Sequence, residues 1–221
     1  KLDMRVICPV RDLIHTDYTY VNTRMYEILR DLVEKHRTTL IFTNTRSGAE
    51  SVTFHLKQVF GEEYIDQIAT HHGSLSRTTR LEVEDLLKQG RLKAVITSTS
   101  LELGIDIGYI DLVVQIGSPK SVAKGLQRVG RAGHFLHEVS KGRLIVFDRD
   151  DLIECTVLVK TAYEGKIDRV QIPKNCLDVL AQHLVGMSVN RKWKVDEAYK
   201  LVKRSYCYHN LSKKDFLEVL R

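Results

Sequence analysis

Apolar residues recur over residues 20–36 at Val21, Met25, Ile28, Leu29 and Leu32. That i, i+4, i+7, i+8, i+11 spacing is one face of a helix. The pattern then changes to a short unbroken apolar run, "TTLIFT" (38–43), which reads as a buried strand leaving through the polar turn "NTRSG". The same alternation continues down the chain. A helix is predicted over about 47–60 with Val52, Leu56 and Val59 inward, a strand in "YIDQIAT" (64–70) and a helix in "RTTRLEVEDLLKQ" (77–89). Strands follow in "LKAVITS" (92–98) and "LVVQIG" (112–117), then a helix near 121–131 and a strand in "GRLIVF" (142–147). "MRVICPV" (4–10) is β-rich and closes on Pro9, which suits a first or edge strand.

Strands alternating with helices predict an α/β fold, with a mostly parallel sheet covered by helices on both faces. Ligands of such sheets bind beyond the carboxyl ends of the strands, so the loops after residues 43, 70, 98 and 117 are the ones to inspect. The pattern breaks at "EGKIDRVQIPKN" (164–175), where Gly165, Pro173 and Asn175 cluster. A first domain over 1–165 and a second segment over 166–221 are expected. The second segment has three helical stretches, near 176–189, 195–205 and 212–220, with Asp196 and Ser212 as starts of the last two. Three short helices suit the beginning of a helix-turn-helix or winged-helix domain.

Charge sharpens that division. Residues 1–165 carry 22 basic and 22 acidic side chains, whereas residues 166–221 carry 12 and 6, so the whole net charge of +6 sits in the last quarter. A neutral body with a basic end points to a polyanionic partner. The 43% hydrophobic content is that of a folded globular chain. No apolar run approaches the roughly 20 residues that span a bilayer, so no membrane partner is expected. Cys8, Cys155, Cys176 and Cys207 are scattered without a CxxC pair, which argues against a zinc site or disulfide framework and suits a reducing cytoplasm.

Four loops concentrate the chemistry. "TNTRSG" (43–48) offers hydroxyls and Arg46 at a strand end; an ordinary polar turn with a helix cap would look the same. "THHGSLS" (70–76) sets His72, Gly73 and Ser74 ahead of a helix, an arrangement suited to phosphate contacts. Its paired histidines lack a third ligand at useful spacing, so no metal is expected. "ITSTSLELGIDIG" (96–108) places Thr97 and Ser98 after a buried strand and brackets Ile105 and Asp106 with Gly104 and Gly108. "QRVGRAGH" (127–134) holds Arg128 and Arg131 among glycines that weaken a helix by about 1 kcal/mol each, which points to backbone clearance near a ligand.

"LIFTNTR", "HHGSLS", "ITSTSLELGIDIG" and "QRVGRAGH", in this order and spacing, resemble motifs IV, IVa, V and VI of superfamily 2 helicases. The resemblance is closest to the Lhr (large helicase-related) family, which has counterparts of "SLELGIDIG", "LVVQIGSPKSVAKGLQRVGRAGH" and "LDVLAQHLVGM" (177–187). It implies a second RecA-like motor domain followed by the start of a winged helix, in an ATP-dependent helicase or translocase of 3′-to-5′ polarity. ATP and Mg²⁺ would be bound mainly by a first RecA-like domain upstream in the same polypeptide, because neither GxxxxGK[ST] nor a DExH box occurs here. By the same resemblance, Arg131 is the arginine reaching the γ-phosphate, with Gln127 opening that motif and Arg128 supporting it. Gly104 and Asp106 lie near the nucleotide. Thr43, Arg46, His72, Gly73, Ser74, Thr97 and Ser98 fall where the family grips DNA or RNA, as a single strand or a duplex with a 3′ tail. His134 stands where many relatives carry a second finger arginine, which leaves its share of that role open.

Two other readings compete. A non-catalytic nucleic-acid binder would use the basic helical segment to read sequence, yet "LSKKDFLEVLR" offers lysines and apolar residues rather than the Arg, Asn or Gln that address base edges. A dinucleotide-dependent enzyme on the same kind of sheet would need GxGxxG after a strand, and none occurs.

Overall fold

The computed structural model describes residues 1–103, 108–133, 139–169 and 171–221. The chain separates into two compact units, Lys1–Asp168 and Arg169–Arg221.

In the first unit the strands are β1 (Leu2–Ile7), β2 (Thr39–Phe42), β3 (Ile68–His71), β4 (Ala94–Thr97), β5 (Leu112–Ile116) and β6 (Ser140–Ile145). They form one sheet in the order β1-β6-β5-β2-β4-β3, with every pairing among them parallel. Side chains alternate across it. Leu40, Phe42, Val95 and Val113 point to one face, under α3 (Arg77–Lys88), α4 (Val122–Val129) and α5 (Arg149–Tyr163). Ile41, Ala94, Ile96, Leu112 and Val114 point to the other, under α1 (Tyr18–Lys35) and α2 (Arg46–Phe60). Both faces being covered explains why β2 is buried at every position and reads as an unbroken apolar run. This is the parallel, doubly covered sheet expected from the alternation of elements, and the RecA-like arrangement that the resemblance implies.

Helix starts are chemically marked. Thr45, Ser76, Ser121 and Asp148 each accept a hydrogen bond from a backbone N–H of the first turn they precede. Such a cap is worth about 1 kcal/mol. The observed bounds depart from the pattern in three places. Residues 61–67 form a 3-10 helix rather than a strand: Gly61, at φ 66°, ends α2, and Tyr64 packs edge-on against Phe60. Val59, expected inward, is 38% exposed on the last turn of α2. The third departure is α5, which the pattern does not announce, because its apolar residues run around the whole helix and leave Ile153 and Val157 more than half exposed. Burial of Cys155 on its inner side pushes that thiol up to about 12.

The second unit has α6 (Leu177–Asn190), α7 (Val195–Val202) and α8 (Lys213–Val219) around Leu180, Leu184, Ala198, Val202, Tyr208, Leu211 and Phe216. Ser212 caps α8. Asp196 does not start α7; it lies in its first turn and pairs with Lys213 at 2.7 Å. Tyrosine hydroxyls tie down loops: Tyr208 donates to the Cys176 carbonyl at 3.0 Å and Tyr199 to that of Leu211 at 2.8 Å. No described helix in either unit is long and apolar enough to cross a membrane.

Candidate functional site

Because all six strands run the same way, the loops leaving β2, β3, β4 and β5 open on one edge of the sheet. Side chains cross-link these loops. Arg46 donates to the Ser74 hydroxyl at 2.7 Å, joining the β2 loop to the β3 loop. Below that contact, His72 Nε2 lies 2.6 Å from Glu50 on α2. Its Nδ1 accepts from the Ser74 N–H at 3.3 Å, so Nε2 carries the proton given to Glu50. His71 Nδ1 lies 2.7 Å from the Ser100 hydroxyl in the β4 loop, and its Nε2 lies 3.1 Å from Glu84 on α3. Burial pushes the His71 imidazole below its ordinary pKa, against the opposing pull of Glu84.

The seven positions assigned to the strand separate into two sets. Arg46, Gly73 and Ser74 are exposed and adjacent. Thr43, His72, Thr97 and Ser98 are buried beneath them, each no more than 5% exposed. The Thr43 hydroxyl donates to the Thr45 carbonyl at 2.8 Å, and that of Thr97 lies 3.1 Å from Ser100. The exposed set offers a cation, a hydroxyl and the start of α2 to solvent, while the buried set holds the loop backbones.

The two arginines of "QRVGRAGH" also part company. Arg128, only 3% exposed, gives Nε and one terminal nitrogen to Glu102 at 3.3 and 3.0 Å, and the other to Gln115 Oε1 at 2.6 Å. Its guanidinium lies 5.1 Å from the Phe42 ring centroid. Gln115 in turn donates to the Ile116 carbonyl and reaches Asn44 at 3.5 Å, and Asn44 donates to the Ser118 carbonyl at 2.9 Å. A chain of polar contacts, buried at Arg128 and Gln115 and reaching the surface at Asn44, therefore runs from α4 through β5 to the β2 loop. Gln127 is exposed and Arg131 half-buried with its Nε enclosed, whereas Arg128 is buried throughout. Gly104, Asp106 and His134 lie outside the described residues.

The glycines have a local reason that the pattern does not display. Gly133 has φ 72°, and a Cβ there would come within 3.0 Å of the Val139 backbone. The space a Cβ would take at Gly133 is filled by the chain itself. At Gly130 a Cβ would meet the Leu126 carbonyl at 2.9 Å. Among the described residues, no group of three or more His, Cys, Asp or Glu side chains is arranged to hold a metal ion.

Asn44, Glu102, Gln115 and Ser100 escape a reading by motif. One signal for them is visible: a glutamine inside the buried run "LVVQI" needs partners, because buried polar groups are hydrogen-bonded.

The conserved helicase C-terminal domain matches residues 23–135, and the winged-helix domain of large helicase-related proteins matches residues 160–221. The chain belongs to the Lhr family of superfamily 2 helicases. Among Lhr relatives, the ATP-dependent helicase Lhr-Core of Methanothermobacter thermautotrophicus is 59% identical over 221 residues, all of this chain and 26% of that protein. The Lhr helicase/uracil glycosylase of Escherichia coli is 37% identical over 84% of this chain and 14% of its own length. The solved structure of Mycobacterium smegmatis helicase Lhr bound to ssDNA and AMP-PNP superposes with a TM-score of 0.93 at 42% identity, covering 99% of this chain and 29% of that one. The chain thus spans about a quarter of the length of its Lhr-Core relatives. The C-terminal domain of the DEAD-box protein Dbp5, at 22% identity and a TM-score of 0.55, shares the fold over 78% of this chain and 89% of its own.

Proposed function

We propose that this chain is the C-terminal motor half of an ATP-dependent 3′-to-5′ helicase or translocase, in which its strand-end edge meets nucleotide on one side and nucleic acid on the other. The observation that carries the reading is the division within "QRVGRAGH": Arg128 is locked inside by Glu102 and Gln115, while Arg131, three residues on, is only partly buried and Gln127 is exposed. Arg128 and its partners act as a mount for the loop that presents Arg131. Arg131 approaches the γ-phosphate of ATP, and Gly104 and Asp106 lie near the same nucleotide. The nucleotide is held with Mg²⁺ by a first RecA-like domain; this chain contains no GxxxxGK[ST] sequence to cradle phosphates itself. An arginine placed there stabilises charge developing on the transferring phosphoryl group, worth roughly 10³–10⁵ in turnover.

Nucleic acid is gripped at Arg46, Gly73 and Ser74, with Thr43, His72, Thr97 and Ser98 holding those loops in place. Phosphates rather than bases are the target, since the exposed donors are a guanidinium, a hydroxyl and backbone amides. The basic second unit adds sequence-independent attraction. That the relatives are named as helicases, one of them solved with ssDNA and a nucleotide analogue, supports this reading.

In a protein containing both motor domains, Arg131→Ala is expected to abolish most nucleic-acid-stimulated ATP hydrolysis and all unwinding while leaving strand affinity and melting temperature near the parent values. Arg131→Lys rescues little, because a point charge does not reproduce the guanidinium fork. The 221-residue chain alone is expected to hydrolyse ATP no faster than buffer. If Arg131→Ala instead hydrolyses ATP at the parent rate, the finger assignment is wrong.

A further inference from the structure

Beside the Arg46–Ser74 grip the first unit has a cavity of about 650 Å³, between the starts of α1 and α2 and the ends of β5 and β6. That is within the roughly 300–1,000 Å³ of ordinary small-molecule sites. Its walls are aromatic: Tyr18, Tyr26, His55 and Phe147 line it. Tyr26 and His55 are stacked with centroids 5.2 Å apart, and Tyr18 is held 67% exposed on the first turn of α1. Its polar end is Asn44 and Asp151, which flank Gly117; a Cβ on Gly117 would lie 3.3 Å from Asp151 Oδ2 and 3.5 Å from Asn44 Nδ2. Among the described residues, no lysine or arginine lines the cavity. A phosphate is therefore a poor occupant; the Asp151 carboxylate at the polar end is shared on its Oδ1 side with Lys120 Nζ at 3.5 Å, which leaves Oδ2 toward Gly117 as an acceptor. A flat, neutral heterocycle with an amine to donate suits both the walls and the carboxylate.

We propose that this cavity receives one unstacked nucleobase of the strand whose backbone is held at Arg46 and Ser74. The inference rests on the strand-grip reading above and deepens it. Thr43, Thr45 and Gly48 line the cavity and belong to the same loop and helix start as Arg46, so a phosphate at that grip is contiguous with a base in the cavity. Asn44 already bonds the Ser118 carbonyl at 2.9 Å, which fixes the amide at the rim. Asp151 accepts from the Ser118 N–H at 3.3 Å, which fixes the carboxylate beside it. A carboxylate there accepts from the exocyclic amine of adenine, cytosine or guanine and has no such donor in thymine or uracil.

The test uses the 221-residue chain and single-stranded oligonucleotides of about 12 nucleotides, within the site sizes of single-strand grooves, carrying 2-aminopurine at each position in turn. One position is expected to change its fluorescence far more than its neighbours on binding. An abasic site at that position weakens binding by roughly 5- to 150-fold, the value of one base–aromatic stack. Tyr18→Ala, a substitution of an exposed residue, removes the position-specific signal while a uniform weak affinity persists. Arg46→Ala weakens parent and abasic strands alike. If strands bind and respond to Arg46→Ala but no position stands out and no abasic site matters, the base pocket is wrong and the grip survives. If no strand binds at all, both are overturned.

Discussion

The two units solve opposite problems with their charges. Lys1–Asp168 carries 23 basic and 23 acidic residues, and at its strand-end edge buried cationic or imidazole groups are each held by named partners: Arg128 by Glu102 and Gln115, His72 by Glu50, His71 by Ser100 and Glu84. Arg169–Arg221 carries 11 basic and 5 acidic residues around a core built almost wholly from apolar side chains. Buried pairs fix geometry, because their attraction depends on close, directional contact. A surplus of exposed charge fixes none, since it acts through a screened field that reaches only about 10 Å at ordinary salt. The first unit is accordingly the place for chemistry that requires placement, and the second for attraction that does not.

The largest effect expected from disturbing this contrast is at the buried pair. Glu102→Ala leaves the Arg128 guanidinium with half its partners and is expected to cost the first unit about 3–5 kcal/mol, read as a lowered midpoint in urea. Replacing both residues together, Glu102→Leu with Arg128→Met, recovers much of that loss. If Glu102→Ala is as stable as the parent, the pair is not what fixes the loop.

An intermediate effect is expected in the second unit. Lys192→Gln, Lys194→Gln and Lys214→Gln together are expected to leave stability unchanged and weaken strand binding equally for all sequences. The slope of log affinity against log salt should fall by up to about 0.7 for each phosphate no longer neutralised. A selective weakening for one sequence would instead favour a sequence-reading module.

The smallest is a pH effect. The folded-state pKa of His71 is depressed by burial, so below the ordinary histidine value near 6.5 the unfolded chain takes up a proton that the folded chain refuses. This contribution costs nothing above that value and grows as pH falls from it toward the depressed folded one. Glu84, Arg80 and His72 are the charged and titratable groups that act on it. Melting temperature, measured about one unit above and one unit below that ordinary value, is expected to drop less in His71→Gln than in the parent.

Most of the first unit's architecture is legible because its central strands β2, β4 and β5 are buried on both faces and most of its helices on one, so apolar spacing maps directly onto position. The helix that was not legible, α5, breaks that correspondence by exposing Ile153 and Val157. The motifs located the strand-end loops but did not show which of their residues turn inward. "QRVGRAGH" presents two arginines alike; the partners that bury Arg128, Glu102 and Gln115, lie 26 and 13 residues before it. The link from Asn44 to Ser118 spans 74 residues, a separation at which spacing in sequence carries no information about contact. At Gly133 the pattern shows the cost of a glycine but not that a Cβ would meet the Val139 backbone six residues on.

The pairing of β1 with β6, Leu2 against Ser140 through Ile7 against Ile145, gives the fold a timetable. During synthesis at roughly 5–20 residues per second, β1 waits on the order of 7 to 28 s before its partner strand exists. Its backbone donors and acceptors stay open for that interval, a template for pairing with other chains. The helix made immediately afterwards covers part of that edge: Tyr163, on the last turn of α5, accepts a hydrogen bond from the Met4 N–H at 2.9 Å through its hydroxyl oxygen. The six-stranded sheet is therefore complete only once β6 has emerged, and α5, arriving next, fastens its β1 edge.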